Sequence, residues 1–151
     1  MSAQVVSSVD YTPGIRLLAR LARVAERSCQ ATGISLPQYR LLVSVSRGPQ
    51  RASELASRVG VSRPTLTSLV DGLEHAGLLR RVPVPSDRRG IQLVPTEQGL
   101  AAIARAETAL TRRMVKLIGP DKVGSVAALV HEVVSALDRE GEELVEADRR
   151  N

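Results

Sequence analysis

The chain has 151 residues, enough for one domain plus an oligomerisation element, and 43% of them are hydrophobic, enough for a packed core. That core is aliphatic by necessity, since there is no Trp, no Phe and only two Tyr, and a small aliphatic core gains from burying surface against a partner chain. The net charge is +5. It is unevenly spread: residues 47–90 hold eight Arg against four acids, whereas residues 120–151 hold eight acids against four bases. One region is attracted to a polyanion and the other repelled by it, which argues against a generally sticky basic protein. The single cysteine, Cys29, excludes an internal disulfide. The start, MSAQVVSSVD, lacks a basic region followed by an apolar run, so no signal peptide is expected. No apolar stretch approaches the roughly 20 residues of a membrane span. A soluble cytoplasmic protein with no membrane partner is the expectation.

The first predicted helix starts near Pro13 and ends at Gly33. Ile15, Leu18, Leu21, Ala22, Ala25 and Cys29 form its apolar face, and Arg16, Arg20, Arg23 and Arg27 a second, basic stripe. Ser35-Leu36-Pro37-Gln38 has the S-x-x-Q form of a capping box, with Ile34 and Tyr39 placed as a hydrophobic staple, so a second helix runs to about Ser46. A short helix is expected over 54–59, capped by Ser53, and another over 63–76, capped by Ser62. Leu78 to Val84 reads as a strand, 85–90 as a polar turn, and 91–94 as the returning strand. Two long helices follow. One covers about 97–118, with Leu100, Ile103, Leu110, Met114 and Leu117 on one side; the other covers about 122–147. The fold class is therefore mainly α with a small β-hairpin wing.

The strongest functional signal lies between Ala52 and Asp71. Two short helices crossing around a tight turn need a small residue at the contact and a turn residue that tolerates positive φ. Ala56 and Gly60 supply these, and Leu55, Val59, Val61, Leu66 and Leu69 stand at the core offsets. This is a helix-turn-helix. In the second helix Leu66, Leu69, Val70 and Leu73 form the buried face. The opposite face carries Pro64, Thr67, Ser68 and Asp71, with Ser62, Arg63 and Thr65 at the N-terminal rim. Short hydroxyl side chains and a helix N-terminus suit approach to phosphates and base edges. Arg63 fits a bidentate guanine contact or a phosphate contact equally well. Asp71 would repel DNA, so a salt bridge to an Arg is expected there.

The hairpin that follows forms a wing. Its tip carries Asp87-Arg88-Arg89. An Arg on a thin hairpin can enter a narrow minor groove, where the potential is most negative, and Asp87 can hold Arg89 extended.

From about Gln50 to Gly99 the chain resembles the winged-helix domain of the MarR (multiple antibiotic resistance regulator) family. Ser62-Arg63-Pro64-Thr65-Leu66-Thr67-Ser68-Leu69-Val70-Asp71-Gly72-Leu73-Glu74 is similar to that family's recognition helix. Asp87-Arg88-Arg89 matches its D-x-R wing motif. The resemblance implies a homodimer whose first and last two helices interlock. Residues 1–34 and 97–151 would then be dimerisation segments around a winged helix-turn-helix over 35–96. It also implies sequence-specific binding of double-stranded DNA at a pseudo-palindromic operator, and repression relieved by a small ligand. Some relatives hold an aromatic carboxylate with an Arg of the first helix, which points to Arg16 or Arg20, with Tyr39 in the wall, for a small aromatic or phenolic ligand. One branch senses hydroperoxides through a Cys near the start of that helix. Cys29 instead lies late on its apolar face, which favours a buried structural thiol.

Two other classes of function stand beside this one. A winged helix can serve protein–protein contact alone, but the arginine-bearing tip argues for DNA. An enzyme would need a nucleophile–base pair, a metal cluster or a glycine-rich phosphate loop, and the sequence offers no catalytic residues, metal ligands or cofactor motif.

Overall fold

A computed structural model of the chain describes residues 12–48, 52–84 and 87–122, together with 124–126, 128, 131–133, 135 and 136; for 52–54, 84 and 87–90 only the backbone is described. Five helices and one hairpin follow in the order α1 (Thr12–Gln30), α2 (Leu36–Ser46), α3 (Ala52–Val59), α4 (Arg63–His75), β1 (Leu79–Val84), β2 (Asp87–Pro95) and α5 (Glu97–Ile118). A 3-10 turn, Pro120–Lys122, comes next, and the described residues among 124–136 are helical. The mainly helical class with a two-stranded antiparallel wing is as expected.

Local chemistry sets the ends of these elements. The Ser35 hydroxyl accepts from the Gln38 N–H at 3.3 Å, and the Gln38 side chain accepts from the Ser35 N–H at 2.8 Å, a complete capping box. Ser62 caps α4 and Thr96 caps α5 in the same way, each through its hydroxyl on a backbone N–H three residues on. Helix α3 starts at Ala52, two residues before the expected 54.

The core sits where α2, α3, α4 and β1 meet the first half of α5. Leu41, Leu42, Leu73, Leu79, Val59 and Cys29 are its largest fully buried side chains. Each aliphatic side chain removed from water there contributes about 1.5–3 kcal/mol.

Three features differ from the sequence reading. The returning strand begins at Asp87 rather than Ile91, so most of the expected turn is strand. Pro83 pairs with Ile91 but Val84 with Asp87, a break in register. Pro83 has no N–H to give the ladder, and an irregularity at that point lets pairing resume nearer the tip. The inward stripe of α5 is Gly99, Ala102, Ile103 and Ala106, whereas Leu100 and Leu117 are about half exposed. Small side chains allow the close approach that packing against the domain requires. On α1, Ile15 and Leu18 are 65% and 67% exposed, and Cys29 is the buried residue of that helix.

Candidate nucleic-acid interface

The turn between α3 and α4 has the expected geometry. Ala56 and Val59, at 6% and 1% exposure, pack under the crossing. Gly60 adopts φ +75°, and the N–H groups of Gly60 and Val61 both donate to the Ala56 carbonyl at 3.0 Å. A side chain at Gly60 would be strained by that φ.

This turn aims α4 outward. Leu66, Val70 and Leu73 bury one face, with Leu69 packed partly beneath. Ser62, Arg63, Pro64, Thr65, Thr67, Ser68 and Asp71 are all exposed. The structure thus leaves all six candidate DNA contacts of this helix and its cap, Ser62, Arg63, Pro64, Thr65, Thr67 and Ser68, open to solvent. Three of their four hydroxyl protons are already committed as donors among these residues. Thr67 donates to the Arg63 carbonyl and Ser68 to the Pro64 carbonyl, each at 3.2 Å. Ser62 and Thr65 share a hydroxyl bond of 2.8 Å. In these positions the oxygens face solvent as acceptors.

Asp71 has the arginine partner that its charge demands. The Arg81 guanidinium, on β1, donates to Asp71 at 2.6 Å and also to Glu74. The hydrogen bond to Asp71, followed by the field of Glu74, holds Arg81 more firmly protonated than usual. One wing arginine therefore balances the two acids on the solvent side of α4. Sequence reading identified Asp71 as needing a partner, but which arginine fills that role depends on the packing of β1 against α4.

A second residue went unread. The Arg40 guanidinium, on exposed α2 surface, lies 3.9 Å from where a Cβ on Gly60 would stand. It adds a cation beside the turn between α3 and α4. Asp87, Arg88 and Arg89 occupy the first backbone positions of β2, at the tip of the hairpin, and their side chains lie outside the described residues.

The other candidates are dispersed. The Tyr39 hydroxyl donates to Glu107 of α5 at 3.4 Å, and burial plus the Glu107 carboxylate push its pKa up. Arg20 lines a groove between α1 and α5 whose walls include neither Arg16 nor Tyr39. Cys29 is fully buried; burial, then the charge of Glu26, push its thiol pKa up, against a smaller opposing effect of Arg40. Such a thiol is poorly ionised and shielded from solvent.

A helix-turn-helix followed directly by an antiparallel hairpin defines a winged-helix protein. Residues 34–91 match the MarR family model, so this part of the chain is similar to that family. Among curated relatives, the HTH-type transcriptional regulator PecS of Dickeya dadantii is 42% identical over 53 residues, 35% of this chain and 32% of that protein, so the match spans about a third of that relative's length. Two solved structures share the fold. The transcriptional repressor CouR, bound to a 23-mer DNA duplex, superposes with a TM-score of 0.63 at 24% identity, covering 89% of this chain and 98% of that one. The MarR family protein Rv2887 of Mycobacterium tuberculosis, in complex with salicylic acid, gives a TM-score of 0.64 at 22% identity, covering 79% and 91%.

Proposed function

We propose that this protein is a sequence-specific, double-stranded-DNA-binding transcriptional regulator that acts as a homodimer in the cytoplasm. Residues 35–96 form the DNA-binding unit, and the helices on either side assemble the dimer. The observation that carries this reading is the outward face of α4. Arg63, Pro64, Thr65, Thr67 and Ser68 stand exposed at its N-terminal end while Leu66, Val70 and Leu73 anchor the opposite side.

A helix presented this way enters a major groove with its N-terminal residues against base edges. Arg63 supplies the charge-bearing contact, and the serine and threonine oxygens accept from base amino groups or approach phosphates. The hairpin extends to one side, where Arg88 and Arg89 reach the adjacent minor groove. CouR's complex with a DNA duplex, on the same fold, supports this arrangement.

Two α4 helices related by a two-fold axis read half-sites about one helical turn apart, within a pseudo-palindrome of roughly 16–20 base pairs. DNase footprinting on the DNA flanking the protein's own gene tests this. A symmetric footprint with steeply salt-dependent affinity is expected. An asymmetric single half-site, or binding indifferent to salt, overturns it. Indifference to salt would favour a winged helix used for protein contact.

Regulation by a small aromatic or phenolic ligand belongs to the same proposal, supported by the salicylic acid complex of Rv2887. Arg16, Arg20 and Tyr39 are its candidate contacts. Release of the operator by a member of a panel of phenolic acids, abolished in Arg16→Ala or Arg20→Ala, is the expected result.

A further inference from the structure

The groove between α1 and α5 has a volume of about 840 Å³, within the range of small-molecule sites. Arg20, Arg23 and Arg27 face it from α1, and Arg112, Arg113 and Lys116 from α5. Among the described residues no carboxylate lines it, and none of these six cations has an ion-pair partner. All six are exposed, so water screens each one singly. Gathered in one concavity, they focus a positive potential that a flat surface would disperse.

The lining selects among anions. Five of the six cations are arginines, whose planar forks pair two N–H groups with two oxygens of a phosphate or carboxylate. Six charges call for an occupant with several negative charges in a short length. A monocarboxylate brings one, whereas each phosphate brings up to about two. Between the cations lie Ala19, Val24 and Ala109, small side chains that leave room, and no aromatic ring stands among the described lining for a phenol to stack on. Beside Ala31 and Arg112 the groove continues into a second hollow of about 690 Å³, which holds Arg105, Thr32 and Thr108. Both threonine hydroxyls donate to backbone carbonyls, of Cys29 at 2.7 Å and of Ala104 at 2.8 Å, which leaves their oxygens as acceptors for a ligand hydroxyl.

We propose that the α1–α5 groove binds a small molecule carrying a chain of two or more phosphates. The phosphates lie between the two rows of cations, and a hydroxyl-bearing remainder extends toward Thr32 and Thr108. The site is separate from the DNA surface, since Lys116 lies roughly 30 Å along α5 from the Thr96 cap, at the end of the helix remote from α4. It is also separate from the contacts named for a phenolic ligand. Arg16 and Tyr39 do not line it, and Arg20 alone is common to both. Neither Arg23 nor Arg112 has a part in the regulator reading, so a failure here leaves that reading standing.

Titration calorimetry of the full-length protein with sodium tripolyphosphate, and separately with magnesium-free ATP, tests the site at fixed ionic strength. Both should bind saturably, and inorganic phosphate at least about tenfold more weakly. Equal affinities for the two mean that the phosphate chain alone is read; tighter ATP assigns the Thr32 and Thr108 hollow to the nucleoside. Arg23→Gln with Arg112→Gln, one from each wall, should weaken binding by about tenfold or more. Arg58→Gln with Arg80→Gln removes the same charge elsewhere and should leave binding unchanged. Should the first pair fold poorly, the unaltered ¹⁵N-labelled protein decides, because tripolyphosphate is expected to shift the amide resonances of 19–31 and 105–116. Shifts confined to the first turn of α4, or equal losses in the two double variants, overturn the proposal. So does binding of tripolyphosphate and ATP no tighter than that of inorganic phosphate.

Discussion

The Thr96 hydroxyl donates to the Gly77 carbonyl at 2.6 Å while accepting from the Gly99 N–H at 3.1 Å. The Thr96 N–H in turn donates to the Leu78 carbonyl. One residue thereby caps α5 and ties its first turn to the end of α4. Thr96→Ala is expected to destabilise the fold by about 1–2 kcal/mol, the usual cost of losing a cap, and Thr96→Ser to recover most of it. Urea denaturation measures both.

The Gly99 end of that cap is sterically locked. A Cβ on Gly99 would collide with the Leu78 carbonyl oxygen, a backbone atom that cannot swing aside. Gly99→Ala should cost at least about 1–3 kcal/mol, as overpacking does. Gly72 is the internal control. It is also helical, has φ in the ordinary range and has nothing within 4 Å of its missing Cβ. Gly72→Ala should stabilise by about 0.5–1 kcal/mol. Opposite signs for the two glycines are the expected outcome, and equal signs would refute the steric account.

The helix-turn-helix was legible because its constraints are local. Gly60, Ala56 and the capping residues sit within a few positions of one another, and each has its own steric or hydrogen-bonding reason. The stripe of α5 was legible in part: Ile103 and Leu110 meet the core, while close packing added Gly99, Ala102 and Ala106 and left Leu100 and Leu117 exposed, since periodicity favours the largest apolar residues. Of the α1–α5 groove only the basic stripe of α1 was legible; its pairing with α5 was not. Arg20 and Arg112 are far apart in sequence, and only tertiary packing brings their helices side by side. The spacing of Arg112, Arg113 and Lys116 on one helix was the available hint.

The Arg81 bridge should matter more for DNA than for folding. Both of its acids are substantially exposed, so Arg81→Ala should cost less than about 1 kcal/mol of stability, shrinking with added salt. Operator affinity should fall by about fivefold, because Asp71 then presents an uncompensated negative charge to phosphate. The double variant Arg81→Ala with Asp71→Asn should recover much of that loss, measured by fluorescence anisotropy.

One buried and one half-buried group make the fold sensitive to alkali. Cys29 and Tyr39 both have pKa values raised in the folded chain above the ordinary 9.0 and 10.0. Folding therefore favours their neutral forms. That contribution is fully present below the ordinary values and is lost as pH rises through the raised ones. Thermal midpoints should be flat near neutrality and fall above about pH 9. Cys29→Ala should lower stability at neutral pH through a small cavity but flatten the alkaline fall, and Tyr39→Phe should flatten it further. An unchanged alkaline slope in both variants would show that neither group ionises with unfolding.

The sharpest functional prediction concerns the wing tip. Arg88→Ala or Arg89→Ala should weaken operator binding by about 1–3 kcal/mol where that arginine is seated in a narrow minor groove. The loss should be largest on A·T-rich flanks, which narrow the groove and deepen its potential. Asp87→Ala distinguishes two accounts by sign. If Asp87 only adds negative charge near phosphate, its removal should tighten binding, most of all at low salt, where screening is weakest. If it holds the wing arginine extended, its removal should loosen binding despite the improved net charge, because the freed side chain loses more entropy on entering the groove. Weaker binding by Asp87→Ala at every salt concentration is expected. Tighter binding throughout would mean that the arginine needs no partner and that the tip acts through charge alone.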